Sequence, residues 1–336
     1  MKPVLGITMG DAAGVGPEII VKALQNKEVY ETSRPIVFGD KKIMQRALRI
    51  VGAELRCRAI GAVEDGGNEY GIIDIVDLDN LPVDLPFAKV DGRAGKAAYE
   101  YIEKAVDYAM QEKVHAIVTA PLNKEALNKG GVHYPGHTEI LGHLMGQKDF
   151  SMMLTSPKLR VIHVSTHIAL NKVSEVVKKD RIEKVIDLAY DALRLMGIEK
   201  PRIAVAGLNP HCGEGGLFGT EDEREIVPAV KAAQAKDYDV TGPVPPDSVF
   251  HRAANLNEFD IVVVMYHDQG HIPIKVLGFD SGVNVTVGLP CIRTSVDHGT
   301  AFPVAGTGKA SSESMMAALE LGAKMASVKF ADILVK

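Results

Sequence analysis

Six short, almost wholly apolar runs with helical patterns between them constrain this chain more than any other feature. The runs are Val4 to Thr8, Pro35-Ile36-Val37-Phe38, Ala116-Ile117-Val118-Thr119, Arg160 to Val164, Ile203 to Ala206 and Ile261 to Met265. A strand that is apolar throughout is buried on both faces, so these runs predict a mostly parallel sheet covered on both sides by helices. The helical patterns are Lys96 to Gln111, Val173 to Met196 and Glu221 to Ala235, and Ser311 to Val328 reads as a closing helix. Ligands of open α/β sheets bind beyond the carboxyl ends of the strands, so the residues directly after the runs are the first candidates for function.

At 336 residues the chain exceeds what one hydrophobic core usually serves, which predicts two domains. The formal charge of −5 argues against general affinity for nucleic acid, while leaving room for a local basic pocket that takes an anionic small molecule. No apolar run approaches a membrane span, and Met1-Lys2 leads straight into a strand without a signal-peptide pattern. The expectation is therefore a cytoplasmic protein with neither nucleic acid nor membrane as a partner. The three cysteines, Cys57, Cys212 and Cys291, are odd in number and widely spaced, so they form neither a disulfide framework nor a cysteine-rich zinc site.

Three histidines follow apolar runs directly: His167 in VIHVSTH, His211 in IAVAGLNPHCGEGG and His267 in DIVVVMYHDQGH. Each is read as part of a short polar loop. Neutral imidazole is the commonest metal ligand near neutral pH, and three of them with an open position could hold a divalent ion that still takes a substrate oxygen. The alternative is that they cap helices or hydrogen-bond to turns. Their occurrence at three equivalent strand ends favours the metal.

Other motifs carry two readings each. Gly10, Gly14 and Gly16 lie between a strand and a helix, but their spacing departs from the G-x-G-x-x-G that a Rossmann dinucleotide site requires. They form either a turn that lets backbone approach a ligand or a plain structural turn. Pro17 and Glu18 suit the helix start that follows. In Gly136-His137-Thr138-Glu139, a new helix start could bind phosphate or carboxylate through backbone N–H groups, the Thr138 hydroxyl and His137, or could simply be capped. Between Tyr266 and Lys309 the chain concentrates Lys275, Asn284, Arg293 and His298-Gly299, with Gly306 and Gly308 close behind. Lys275, Asn284 and Arg293 together look like an anion pocket. The glycines after His298 suit a loop that wraps a nucleotide.

These motifs, in order, resemble the 4-hydroxythreonine-4-phosphate dehydrogenase family over nearly the full chain. The likeness is carried by ITMGDAAGVGPEI at 7 to 19, YPGHTE at 134 to 139, STH at 165 to 167, GLNPHCGE at 207 to 214, PPDSVF at 245 to 250, MYHDQGH at 265 to 271 and GLPCIRTSVDHGTAF at 288 to 302. Membership implies a two-domain α/β/α fold like that of isocitrate and isopropylmalate dehydrogenases. A discontinuous first domain at 1–130 and 300–336 and a second at 131–299 are then expected, with the active site in the cleft and at a homodimer interface. The resemblance further implies NAD or NADP bound without a Rossmann site, and one divalent metal ion (zinc, magnesium or cobalt) on His167, His211 and His267. It makes His137, Thr138, Lys275, Asn284 and Arg293 substrate ligands, brings Asp247 close to metal and substrate, and points to His298, Gly299, Gly306 and Gly308 on the cofactor side.

Pro303 stands where that family commonly has an acidic residue, so the sequence does not choose between NAD and NADP. The stretches APLNKEAL, VIHVSTHIAL and HDQGHIPIK look closer to the branch that acts on threonate or erythronate 4-phosphate. Both branches oxidise the C3 hydroxyl of a 4-phosphorylated four-carbon acid and release CO2. Asp247 and Lys275 are the candidate catalytic residues, with a hydroxide on the metal as the other candidate base. Two further function classes fit the same residues: a non-catalytic sensor of a phosphorylated acid, and a metal-dependent hydrolase.

Overall fold

The computed structural model describes residues 1–278 and 281–334, and they form two compact units. The first unit is Met1–Lys148 with Leu289–Lys336, and the second is Asp149–Gly288. A discontinuous first unit was expected, but its boundaries lie at 148/149 and 288/289 rather than 130/131 and 299/300. Two contacts account for the shift: the helix His137–Leu144 packs against the helix Gly92–Met110, and the strand Ile292–Val296 pairs with Ala116–Thr119.

The first unit carries β1 (Val4–Thr8), β2 (Arg34–Gly39), β3 (Arg56–Ile60), β4 (Ile72–Asp77), β5 (Ala116–Thr119) and the last strand of the chain, β12 (Ile292–Val296). They lie in the order β3-β4-β2-β1-β5-β12, and every pairing is parallel. Every residue of β1, β5 and β12 is buried; β1 and β5 are apolar runs of the kind that helices on both faces require, whereas β12 buries Arg293, Thr294 and Ser295. Helix Gly92–Met110 buries Ala94, Ala97, Ala98, Tyr101, Ile102 and Ala105 along one face at helical spacing. It is capped by Asp91, whose carboxylate accepts from Arg93 N–H.

The second unit carries β6 (Ser151–Thr155), β7 (Arg160–His163), β8 (Arg202–Ala206), β9 (Asp239–Val244), β10 (Ile261–Val264) and β11 (Val283–Val287). Its order is β11-β6-β7-β10-β8-β9, with the β11-β6 and β6-β7 pairs antiparallel and the rest parallel. Leu154, Val161, Ala204, Val262, Val264 and Ile274 meet in its core. The single helix expected over Val173 to Met196 is broken into Val173–Val176 and Lys179–Leu195. Glu225 accepts from Lys179 N–H at 3.0 Å, which gives the second piece its own start. No helix among the described residues is long and apolar enough to cross a membrane.

The loop after β1 turns on its own backbone. A Cβ on Gly10 (φ 71°) would lie 2.4 Å from the Pro121 carbonyl oxygen, and one on Gly16 would lie 2.4 Å from that of Met9. The plain structural turn is thus the reading these two glycines support. The same loop buries Asp11 completely. Its Oδ1 accepts from Ala13 N–H at 2.8 Å, while Oδ2 is sealed from solvent with no hydrogen-bond partner. Burial pushes the Asp11 carboxyl up from the usual 3.8 to about 6, against the lowering effect of the Ala13 amide, with the charge of Asp91 adding to the rise.

A folded-state pKa above the unfolded one makes the ionised group a net cost. The folded protein holds this proton between about pH 6 and pH 4, where the unfolded chain has released it, so the contribution of Asp11 improves as pH falls through 6. We predict that Asp11→Asn is more stable than the parent at pH 8, by up to roughly 2–3 kcal/mol, and that the gap closes by pH 4. Urea unfolding at the two pH values measures it. A gap of equal size at both would show that ionisation of Asp11 is not its source.

Candidate active site

At the carboxyl edge of the first unit, Thr8 of β1 and Ser295 of β12 flank Thr119 of β5 in register. Two positions back along β12, Arg293 is 2% exposed and donates from Nη2 to Thr119 Oγ1 at 2.7 Å. Burial pushes the guanidinium down to about 10, with Cys291 and Glu139 acting the other way, so it remains a cation at neutral pH. His137 opens the helix His137–Leu144. The residue is half-buried, yet its Nε2 is sealed and has no hydrogen-bond partner. Burial, and then the charge of Arg293, hold its imidazolium well below the ordinary range, so the ring is neutral. The structure therefore couples two of the expected substrate ligands, Arg293 and His137, with Thr138 next along the same helix start. A buried cation beside a neutral imidazole at a helix start is suited to an anion.

The cofactor-side residues give a different result. Gly306 N–H and Gly308 N–H donate to Glu18 Oε1 and Oε2 at 2.6 and 2.7 Å, so both amides are committed to a buried carboxylate of the same unit. They do not form the phosphate-wrapping backbone that the sequence suggested. His298 and Gly299 stay exposed, with His298 Nδ1 donating to the Gly299 carbonyl oxygen at 2.9 Å.

In the second unit the three histidine-bearing segments are tied to one another. Ser165 Oγ donates to the Met265 carbonyl oxygen at 2.7 Å, joining the segment after β7 to that after β10. Gln269 is buried; its Oε1 accepts from Met265 N–H at 2.6 Å and its Nε2 donates to the Gly207 carbonyl oxygen at 2.8 Å. The segment after β8 is thereby joined as well. His267 is the first residue of the helix His267–Leu277 rather than part of a loop. Its ring centroid lies 5.8 Å from that of His167. His267 Nδ1 lies 2.7 Å from Asp268 Oδ1, which assigns the proton to Nδ1 and turns the lone pair of Nε2 to other use.

His211 stands apart from this pair. It is exposed, and with Cys212 and Glu214 it adopts left-handed backbone at φ 51°, 57° and 45°. Such strain persists only where surrounding structure holds it. Asp222, 1% exposed, supplies the hold: its carboxylate accepts from Leu208 N–H, Asn209 N–H and the Asn209 amide at 2.9–3.1 Å. Asp247, also exposed, is felt by the thiol of Cys212, which burial and then Asp222 and Asp247 push up to about 11. Among the described residues no group of three or more His, Cys, Asp or Glu side chains could hold a metal ion. One chain thus brings together two of the three expected ligands.

Lys275 lies in the last turn of the helix His267–Leu277 and Asn284 on β11, both half-buried, and Asn284 Oδ1 is sealed without a hydrogen-bond partner. Sequence reasoning left Asp222, Gln269, His163 and His271 without a role. Only His271 carried a usable signal, because its spacing of four from His267 puts both on one helical face.

The chain matches the protein family described as pyridoxal phosphate biosynthetic protein PdxA over residues 31–322. It is 53% identical to the D-threonate 4-phosphate dehydrogenase of Cupriavidus necator, over 96% of this chain and 97% of that protein. The crystal structure of a 4-hydroxythreonine-4-phosphate dehydrogenase from Burkholderia phymatum superposes with a TM-score of 0.86 at 53% identity, covering 97% of this chain and 98% of that one. The corresponding enzyme from Klebsiella pneumoniae gives 0.87 at 46% identity, covering 97% and 100%. With a family match of this extent and relatives alike along nearly their whole length, the chain belongs to the PdxA family.

Proposed function

We propose that this chain is a nicotinamide-dependent dehydrogenase that oxidises and decarboxylates D-threonate 4-phosphate. The observation that carries the substrate class is the seat in the first unit, where Arg293 stays cationic although buried and sits beside a neutral His137. That seat suits an anionic end of a phosphorylated hydroxy acid. The choice of acid leans on the 53% identity to a relative named for D-threonate 4-phosphate. In this reading Arg293, His137 and Thr138 hold one anionic end, and Lys275 and Asn284 are further substrate ligands. Asp247 and Lys275 are the proton-transfer groups for the C3 hydroxyl.

Two groups from outside the chain belong to this reading. His167 and His267, with rings 5.8 Å apart and the proton of His267 held at Nδ1, fit two positions around a divalent cation. When bound, the cation supplies Lewis-acid polarisation of substrate oxygens, and NAD or NADP supplies the hydride acceptor. The third imidazole would be the His211 of a second copy, since the strained, exposed turn at 211 faces solvent in the single chain. A homodimer follows from that assignment.

The purified protein, supplied with divalent metal and either nicotinamide, is expected to reduce the cofactor fastest with D-threonate 4-phosphate. D-erythronate 4-phosphate and 4-hydroxy-L-threonine 4-phosphate are the comparisons. Faster turnover of the amino acid would reassign the substrate, and product formation without any nicotinamide would remove the dehydrogenase reading itself.

Arg293→Met is expected to raise the substrate KM roughly 10-fold or more, because a desolvated charge-assisted contact contributes about 1.5–3 kcal/mol. Cofactor KM should move far less, and Arg293→Lys should recover part of the loss. Unchanged kinetics in Arg293→Met would discard the anion seat.

His167→Ala and His211→Ala chains should each be inactive. Mixed at equal amounts and allowed to exchange subunits, they should recover about a quarter of wild-type activity, since half of the dimers then carry one intact site out of two. No recovery after exchange has been verified by mass would place both histidines in the same chain's site.

A further inference from the structure

Two histidines that the proposed reaction leaves unassigned, His163 and His271, sit behind His267. His163 ends β7 with no exposed surface, a costly position for an imidazole unless both of its nitrogens are used. Its Nδ1 lies 3.0 Å from the Met152 carbonyl oxygen. A carbonyl only accepts, so Nδ1 carries the proton of the ring and Nε2 keeps its lone pair. Facing Nε2 at 3.1 Å is Nδ1 of His271, which must therefore donate. The same N–H lies 3.0 Å from the His267 carbonyl oxygen one helical turn back.

The tautomer of His271 is thus set from within the core, and its ring lies against His267 with centroids 3.6 Å apart and planes 10° from parallel. Gly270 makes the connection sterically feasible, because a Cβ there would lie 2.7 Å from His163 Nε2. The glycine in His267-Asp268-Gln269-Gly270-His271 is the gap through which β7 reaches the helix. Asp268 holds the other side of His267 at Nδ1. With one nitrogen fixed and one face covered, the His267 ring cannot rotate without losing the stack.

We propose that His163, acting through His271, is a positioning residue that fixes the ring plane of His267 for coordination of a divalent cation. The proposal rests on the reading of His267 as a metal ligand. Partners of this kind behind a ligating histidine typically change metal affinity 10- to 100-fold when removed.

The test uses metal-stripped, purified protein, with Co2+ affinity from chelator competition, the d–d spectrum of the loaded protein, and thermal unfolding without metal. His163→Leu keeps apolar bulk and breaks the chain of donors. His163→Gln can still donate to Met152 and accept from His271. His163→Leu and His271→Ala are each expected to weaken Co2+ binding roughly 10-fold or more and to shift the d–d bands. His163→Gln should restore most of the affinity, and the double variant should be no weaker than either single one, because the two residues act in series. Co2+ affinity within about twofold of wild type in His163→Leu overturns the proposal, whatever happens to the melting temperature without metal. If His163→Leu does not fold, unchanged affinity in His271→Ala overturns it alone. His267→Ala separates the two readings. Loss of Co2+ there with none in the other variants sinks only the positioning role, whereas wild-type affinity in His267→Ala sinks the ligand reading and this proposal together.

Discussion

The buried amide of Gln269 spans two segments of backbone, Met265 after β10 and Gly207 after β8. Each bond satisfies a main-chain group at the edge of the sheet, where the ladder has ended and water is excluded. Removing the amide would leave a buried N–H and a buried carbonyl without partners, a loss of about 1–3 kcal/mol each. The position of His267 depends on this tie, because the helix it opens begins two residues after the tied Met265. Ser165 does the same for the segment of His167. His167 and His267 are thus set by hydrogen bonds of neutral side chains, whereas the turn of His211 is held by the buried carboxylate of Asp222.

The first unit also buries charge. Arg293, His137 and Asp11 all shift for the same leading reason, desolvation, with opposite consequences. Arginine begins so high that a fall to about 10 leaves it charged, histidine begins so low that any fall leaves it neutral, and Asp11 is moved to the edge of the physiological range. Arg293 is thus a buried cation beside a neutral imidazole. An anion entering such a place strengthens contacts already desolvated, which is why a buried arginine discriminates more sharply than a surface one.

The six apolar runs were legible as strands because a strand covered on both faces is apolar unless its polar side chains find buried partners. Arg293, Thr294 and Ser295 of the unanticipated β12 do find them. β3, with two of its five residues exposed, and the antiparallel β6 and β11 lacked that signature and were not anticipated. The break near Val177 was hidden because the capping carboxylate, Glu225, is remote in sequence. Among the candidate site residues, Arg293 and His137 were legible as possible anion ligands from side-chain chemistry. Asp222 was not, since nothing in Glu221-Asp222-Glu223 distinguishes the one carboxylate that is buried from its neighbours. The left-handed turn at His211 is likewise a property of the clamp that holds it, and a clamp is a long-range contact.

The glycines show most clearly why spacing misleads. Gly10 and Gly16 offered either a turn that lets backbone approach a ligand or a plain structural turn, and Gly306 and Gly308 a loop that wraps a nucleotide. In the fold, the first pair serves close backbone packing, and the amides of the second pair are taken by Glu18. A glycine-rich loop recognises phosphate through unsatisfied N–H groups, so amides that already donate to a carboxylate cannot do so without giving that carboxylate up. A nicotinamide bound by this unit would therefore have to be held by groups other than these two amides. That separates this fold from the Rossmann solution, in which the glycine amides themselves face the pyrophosphate.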